Sequence, residues 1–191
     1  RSTLMAAYVY YSQMYFNEAI YELERFLDKY KNHPDTDYAY YLLAICHYNQ
    51  IVDEKKDIGE IIKAKEYFNL LIKDFPNTDF AEDANFKLEL IEEILASKEL
   101  YLANYYLDRE KWIPAINRYK KIINEYDTTI YVEEALYRLV ELNYKLGLVN
   151  EAKKYAVLLG YNYQSSEWYE RSYNILDSKY KKTEIKKDIE K

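Results

Sequence analysis

The sequence predicts an all-α protein, a stack of about four antiparallel helix pairs, and three observations carry that prediction. A small alanine recurs in the same helical setting at Ala19, Ala64, Ala115 and Ala152, and two of these have a second alanine twelve positions earlier, Ala7 and Ala103. Small side chains at that spacing let the two helices of a hairpin approach closely, which is the mark of a repeat array. Apolar residues recur at helical spacing along almost the whole chain. Only 3 Gly and 3 Pro stand among 191 residues, too few to supply the tight turns of a sheet protein.

Interruptions in the apolar pattern divide the chain. Helices are expected near 2–13, 16–31, 36–52, 60–74, 79–107, 111–125, 129–146, 149–160 and 165–180. Pro34 and Pro76 fall between pairs, and Pro114 falls in the first turn of its helix, where a missing N–H costs little. Asp79 and Glu82 have capping-box spacing, and Thr129 ahead of Glu133 and Glu134 offers an acceptor and negative charge at a helix start. The resulting pairs cover 2–31, 36–75, 79–126 and 129–160, followed by a C-terminal helix over 165–180, all in one domain. The charged run 181–191 is expected to be frayed or disordered.

The array is irregular. Successive alanines are 45, 51 and 37 residues apart rather than evenly spaced. Ala44 occupies the slot before Ala64 but stands twenty residues from it, which implies an insertion within 53–60. The segment 80–107 has no breaker over twice the length of an ordinary repeat helix, and Val140 replaces the small residue of the fourth pair.

Composition narrows the function classes. A net charge of −6 argues against nucleic acid as a partner, because phosphate binding needs a concentrated positive surface. The apolar runs fall short of a membrane span. The single cysteine, Cys46, makes an internal disulfide or a cysteine metal cluster impossible and reads as a buried small hydrophobe. His33 and His47 are the only histidines, and neighbours such as Cys46 and His47 point ~100° apart on a helix, so no nucleophile–base pair is expected. Without a phosphate-cradling glycine loop or a metal-binding spacing, the chain reads as a non-enzyme with no cofactor. The 25 tyrosines accompany abundant Asn, Lys and Ile, an excess that an AT-rich coding sequence would also produce.

The hairpins resemble tetratricopeptide repeats, which implies a right-handed superhelix that binds proteins. Three features narrow the resemblance: the string from His33 to Tyr41, the insertion in the second pair, and the long helix running into Ala103–Tyr119. Together they resemble the BamD-like lipoproteins of the outer membrane β-barrel assembly machinery, and the string from Ser166 to Tyr169 resembles the C-terminal helix of longer members. The resemblance implies a scaffold at the periplasmic face of the outer membrane, lipid-anchored ahead of Arg1, where the family also carries a further repeat. It implies the periplasmic (POTRA) domains of BamA and unfolded outer membrane proteins as partners, and admits other Bam lipoproteins. A family arginine that faces an acidic BamA residue falls on Arg118, and a neighbouring family arginine falls on Arg109. Arginine suits that role because its planar fork holds a carboxylate bidentately.

The alanines also orient a candidate peptide groove. If Ala7 faces its partner helix, Leu4, Tyr8 and Tyr11 form an adjacent stripe, and the same offsets from Ala44 select Tyr41, Ile45 and Tyr48. Tyrosine gives a large contact area with a polar tip, suited to aromatic-rich extended segments; packing between repeats is the competing role for the same rings. A periplasmic adaptor of the cell-division or envelope-coordination type is the rival function. A carboxylate-clamp co-chaperone fits less well, since the stripe lacks Lys and Arg.

Overall fold

A computed structural model describes residues 2–51 and 58–177. Every element among them is helical: α1 (Ser2–Ser12), α2 (Phe16–Lys29), α3 (Thr36–Asn49), α4 (Gly59–Asp74), α5 (Asp79–Leu107), α6 (Trp112–Glu125), α7 (Val132–Lys145), α8 (Val149–Asn162) and α9 (Glu167–Leu176). They form two compact units, Arg1–Ile94 and Leu95–Lys191, and the division falls inside the 29-residue α5. In the first unit α2 packs on α1 and α3, and α4 on α3; in the second, α7 packs on α6 and α8, and α9 on both α7 and α8.

The alanines sit where the sequence puts them. Ala7, Ala19, Ala44, Ala64, Ala103, Ala115 and Ala152 are fully buried, as is Val140 in the fourth pair. In the second helix of each pair the core continues four and seven residues on: Leu23 and Phe26, Phe68 and Leu71, Tyr119 and Ile122, Ala156 and Leu159. Those offsets keep all three residues on one helical face, so each hairpin buries a single apolar stripe.

Each second helix then ends on an aromatic residue eleven positions past its alanine: Tyr30, Phe75, Tyr126 and Tyr163. All four have φ between −137° and −127° and donate their backbone N–H to the carbonyl four residues back. Turns inside the hairpins repeat as well. Met14, Glu110 and Gly147, each five residues before the packing alanine, have φ of 61°, 56° and 77°. Tyr15 N–H donates to Tyr10 O, Lys111 to Tyr106 and Leu148 to Asn143, each at 2.9 Å, which closes the same left-handed helix end three times.

Among the described residues the second pair shows no such turn. Its α3 ends at Asn49 and α4 begins at Gly59; of the expected insertion 53–60, residues 53–57 lie outside the described residues, and Gly59 and Glu60 belong to the helix. His47 Nδ1 and Glu60 Oε2, 2.6 Å apart, tie the end of α3 to the start of α4.

Three expectations about helix ends are corrected. Thr78, not Asp79, caps α5: its Oγ1 accepts from Ala81 N–H at 3.2 Å, which leaves Asp79 and Glu82 in the first turn. Thr129 does not cap α7, because its hydroxyl donates to Tyr126 O at 2.8 Å and the helix starts at Val132. The last helix starts at Glu167 behind Ser166, whose Oγ accepts from Trp168 N–H, and ends at Leu176; positions 178–180 and the expected tail 181–191 lie outside the described residues.

Candidate functional site

The six stripe residues of the first unit separate into core and surface. Leu4 and Ile45 are buried, Leu4 in the cluster that contains Ala7, Leu23 and Phe26, so both leave the candidate groove. Tyr8 is 48% exposed, and Tyr11 is half-buried with its ring centroid 6.2 Å from Phe16. Tyr41 is half-buried and fixed: its hydroxyl donates to Asp83 Oδ2 at 2.8 Å, and its ring lies 5.1 Å from Phe80 and 6.4 Å from Phe68. Burial and the bond to Asp83 push its phenol pKa well above the usual range. Tyr48 is half-buried with the Lys87 ammonium 5.4 Å from its ring. Two aromatic neighbours escaped the sequence reading. Tyr38, three residues before Tyr41 and so on the same helical face, lies 5.4 Å from Phe80 of α5.

The two arginines of the second unit have different surroundings. Arg109 is exposed and folds back on its own helix end, its guanidinium carbon 3.6 Å from the centre of the Tyr105 ring and its Nη1 donating to Tyr105 O at 3.2 Å. Arg118 on α6 donates from Nη1 to Glu99 Oε2 at 2.9 Å. Lys121 donates to the other oxygen, Glu99 Oε1, at 2.7 Å. Glu99 is 7% exposed, so α5 holds one buried carboxylate and α6 brings two half-exposed cations to it. Tyr106, Ile113, Pro114 and Asn117 complete a shallow cleft beside Arg118 and Lys121. The bond to Glu99 raises the Lys121 pKa despite partial burial, so this ammonium stays charged. Lys121 was legible as the i+3 neighbour of Arg118; Glu99 was not, because only packing brings α5 against α6 at that register.

Cys46 and His47 do not make a nucleophile and base. Cys46 is fully buried and burial pushes its thiol pKa up to about 12, while the His47 Nδ1 is engaged by Glu60 and its ring stacks on Tyr67 at 5.5 Å. A thiol in that setting stays protonated at neutral pH. Among the described residues, no group of His, Cys, Asp and Glu is placed to hold a metal ion, and no helix is long and apolar enough to cross a membrane.

The YfiO family model, described as outer membrane lipoprotein, matches residues 1–158. The chain belongs to the YfiO outer membrane lipoprotein family. Relatives in this family include the outer membrane protein assembly factor BamD of Rickettsia prowazekii, 39% identical over 176 residues, which are 92% of this chain and 70% of the relative. The BamD of Caulobacter vibrioides is 37% identical over 177 residues, 93% of this chain but only 58% of its own length. That of Neisseria gonorrhoeae is 34% identical over 155 residues, 76% of this chain and 58% of the relative. Such likeness agrees with the helical hairpins and with the resemblance read from residues 33–41 and 103–119.

Proposed function

We propose that this chain is a non-catalytic scaffold in outer membrane β-barrel assembly, working at the periplasmic face of the outer membrane in a longer, lipid-anchored protein. The observation that carries the proposal is the 37–39% identity to relatives named assembly factor BamD, sustained over 92–93% of the chain. Its partners in this reading are the periplasmic POTRA domains of BamA, other Bam lipoproteins, and unfolded barrel proteins.

The BamA contact is assigned to Arg118, with Arg109 beside the same α5–α6 turn. Support comes from the cleft at Arg118, where charge and apolar surface adjoin: Ile113 is 59% exposed next to two cations. An interface that buries an aliphatic side chain beside an arginine fork gains both desolvation and directional bonds. Unfolded barrel segments are assigned to the aromatic residues of the first unit that keep surface, the exposed Tyr8 and the half-buried Tyr11 and Tyr48, with Tyr41 as their fixed edge.

The test is capture of the purified chain on immobilised BamA POTRA domains, with the same domains heat-denatured as control, and in parallel on a peptide from the C-terminus of a barrel protein. Retention on native domains alone supports the scaffold reading. Equal retention on native and denatured domains would refute a specific contact, and no retention on the peptide would remove the substrate assignment.

A further inference from the structure

Glu99 is an unusual residue to find between α5 and α6 of a helical repeat. Burying a carboxylate is costly unless each oxygen is paired, and one bidentate arginine would satisfy both. Here each oxygen takes a separate cation, Arg118 at 2.9 Å and Lys121 at 2.7 Å. The cluster therefore carries one more positive charge than the buried carboxylate neutralises, and that excess lies at the surface, since Arg118 and Lys121 keep 38% and 36% of their side-chain area exposed. Glu125, itself exposed, approaches Lys121 from outside, at 3.9 Å. The cleft beside the cations has an apolar side made by Ile113, Pro114 and Tyr106.

We propose that Glu99 is a positioning residue, which holds Arg118 and Lys121 side by side as a two-pronged receptor for a single partner carboxylate flanked by an apolar side chain. The inference rests on the reading of Arg118 as a partner contact and extends it to two residues that reading does not include. Long cationic side chains lose rotamer freedom when a partner orders them, and a chain already pinned from below has less to lose. Arg118 keeps guanidinium nitrogens and Lys121 keeps ammonium hydrogens beyond those that Glu99 uses. A carboxylate arriving from the partner cancels the excess charge, while its apolar neighbour covers Ile113 and Pro114.

The positioning role has a kinetic signature. In Glu99→Gln the cluster gains net positive charge, so association steered by charge is kept or quickened, while the unpinned cations release the partner sooner. A residue needed only for folding would lower binding through the amount of active protein and leave the dissociation rate of that fraction alone.

The experiment measures association and dissociation rates of the whole chain on immobilised BamA POTRA domains, with helix content of each variant followed by circular dichroism. The variants are Glu99→Gln, Glu99→Asp, the pair Arg118→Ala with Lys121→Ala, and that pair combined with Glu99→Gln. Expected is dissociation about tenfold faster for Glu99→Gln, the order set by one or two side chains ordered on binding. Partial recovery is expected in Glu99→Asp, which keeps the charge on a shorter arm, and no effect of Glu99→Gln once both cations are gone. Should Glu99→Gln fail to fold, Glu99→Asp carries the comparison, with dissociation between wild type and the double variant. An unchanged dissociation rate in a folded Glu99 variant, with the double variant weakened, overturns the positioning role alone. Wild-type binding by the double variant overturns the partner reading, and the positioning role with it.

Discussion

The Tyr119 hydroxyl donates to Asn104 Oδ1 at 2.5 Å from a ring that is fully buried. Tyr119 stands four residues past the packing alanine of its hairpin, where the other pairs place Leu23, Phe68 and Ala156. It is the position of that register that brings a polar atom into the core, and the bond to α5 satisfies it. Removing the hydroxyl in Tyr119→Phe should cost about 1 kcal/mol, and Tyr119→Ala about 3 to 5 kcal/mol through the cavity left behind. Urea unfolding of the two variants separates these contributions.

The packing alanines are the tightest points of the hairpins. Ala19→Leu and Ala115→Leu should each lose about 1 to 3 kcal/mol by overpacking against the facing helix. Thermal melts check this, and neutral behaviour at both sites would contradict the hairpin register.

Turn geometry predicts changes of opposite sign. Met14 and Glu110 adopt the left-handed conformation that Gly147 occupies in the fourth pair. Met14→Gly and Glu110→Gly should each stabilise by up to about 1 kcal/mol by relieving the Cβ clash, whereas Gly147→Ala should destabilise by a similar amount. Although nothing lies within 4 Å of a Cβ at position 147, the strain there is in the backbone.

Stability should fall at both ends of the pH range. Burial pushes the Glu60 and Glu141 carboxyls up, but hydrogen bonds from His47 and Lys63 to the first, and from Arg138 and Lys145 to the second, outweigh it and hold both below the ordinary 4.5. The folded state therefore gains from these carboxylates above about pH 4.5 and loses that gain as pH drops through their lowered values. At the alkaline end, burial raises Cys46 from 9.0 to about 12 and lifts Tyr41 and Tyr119 well above 10.0. The unfolded chain sheds these protons first, so stability declines from about pH 9 upward. Urea midpoints across pH should show a plateau between, and Cys46→Ala should delay the alkaline decline to the tyrosine range.

How much of this was legible depends on whether a residue's surroundings lie on its own helix. The alanines at 7, 19, 103 and 115 fixed the hairpins because their spacing records both helices at once. The aromatic ends Tyr30, Phe75, Tyr126 and Tyr163 were equally periodic and show that the repeat survives the irregular second pair. The groove stripe was read less well. At 100° per residue, Leu4 and Tyr11 point within about 60° of Ala7 and turn toward the core, while Tyr8 points further round and is exposed. Ile45 has the offset of Tyr8, yet α3 packs on α4 as well as on α2, a neighbour that α1 lacks, and the residue is buried. Glu99 could not be found from sequence at all, since nothing on α5 announces that Arg118 and Lys121 will meet it.

Calorimetric titration of BamA POTRA domains into the wild-type chain and into Arg118→Ala, with helix content matched, decides whether Arg118 makes the partner contact. Affinity is expected to be at least about tenfold weaker in the variant, from loss of a charged contact at the cleft. Equal affinity in a folded Arg118→Ala protein would contradict that contact.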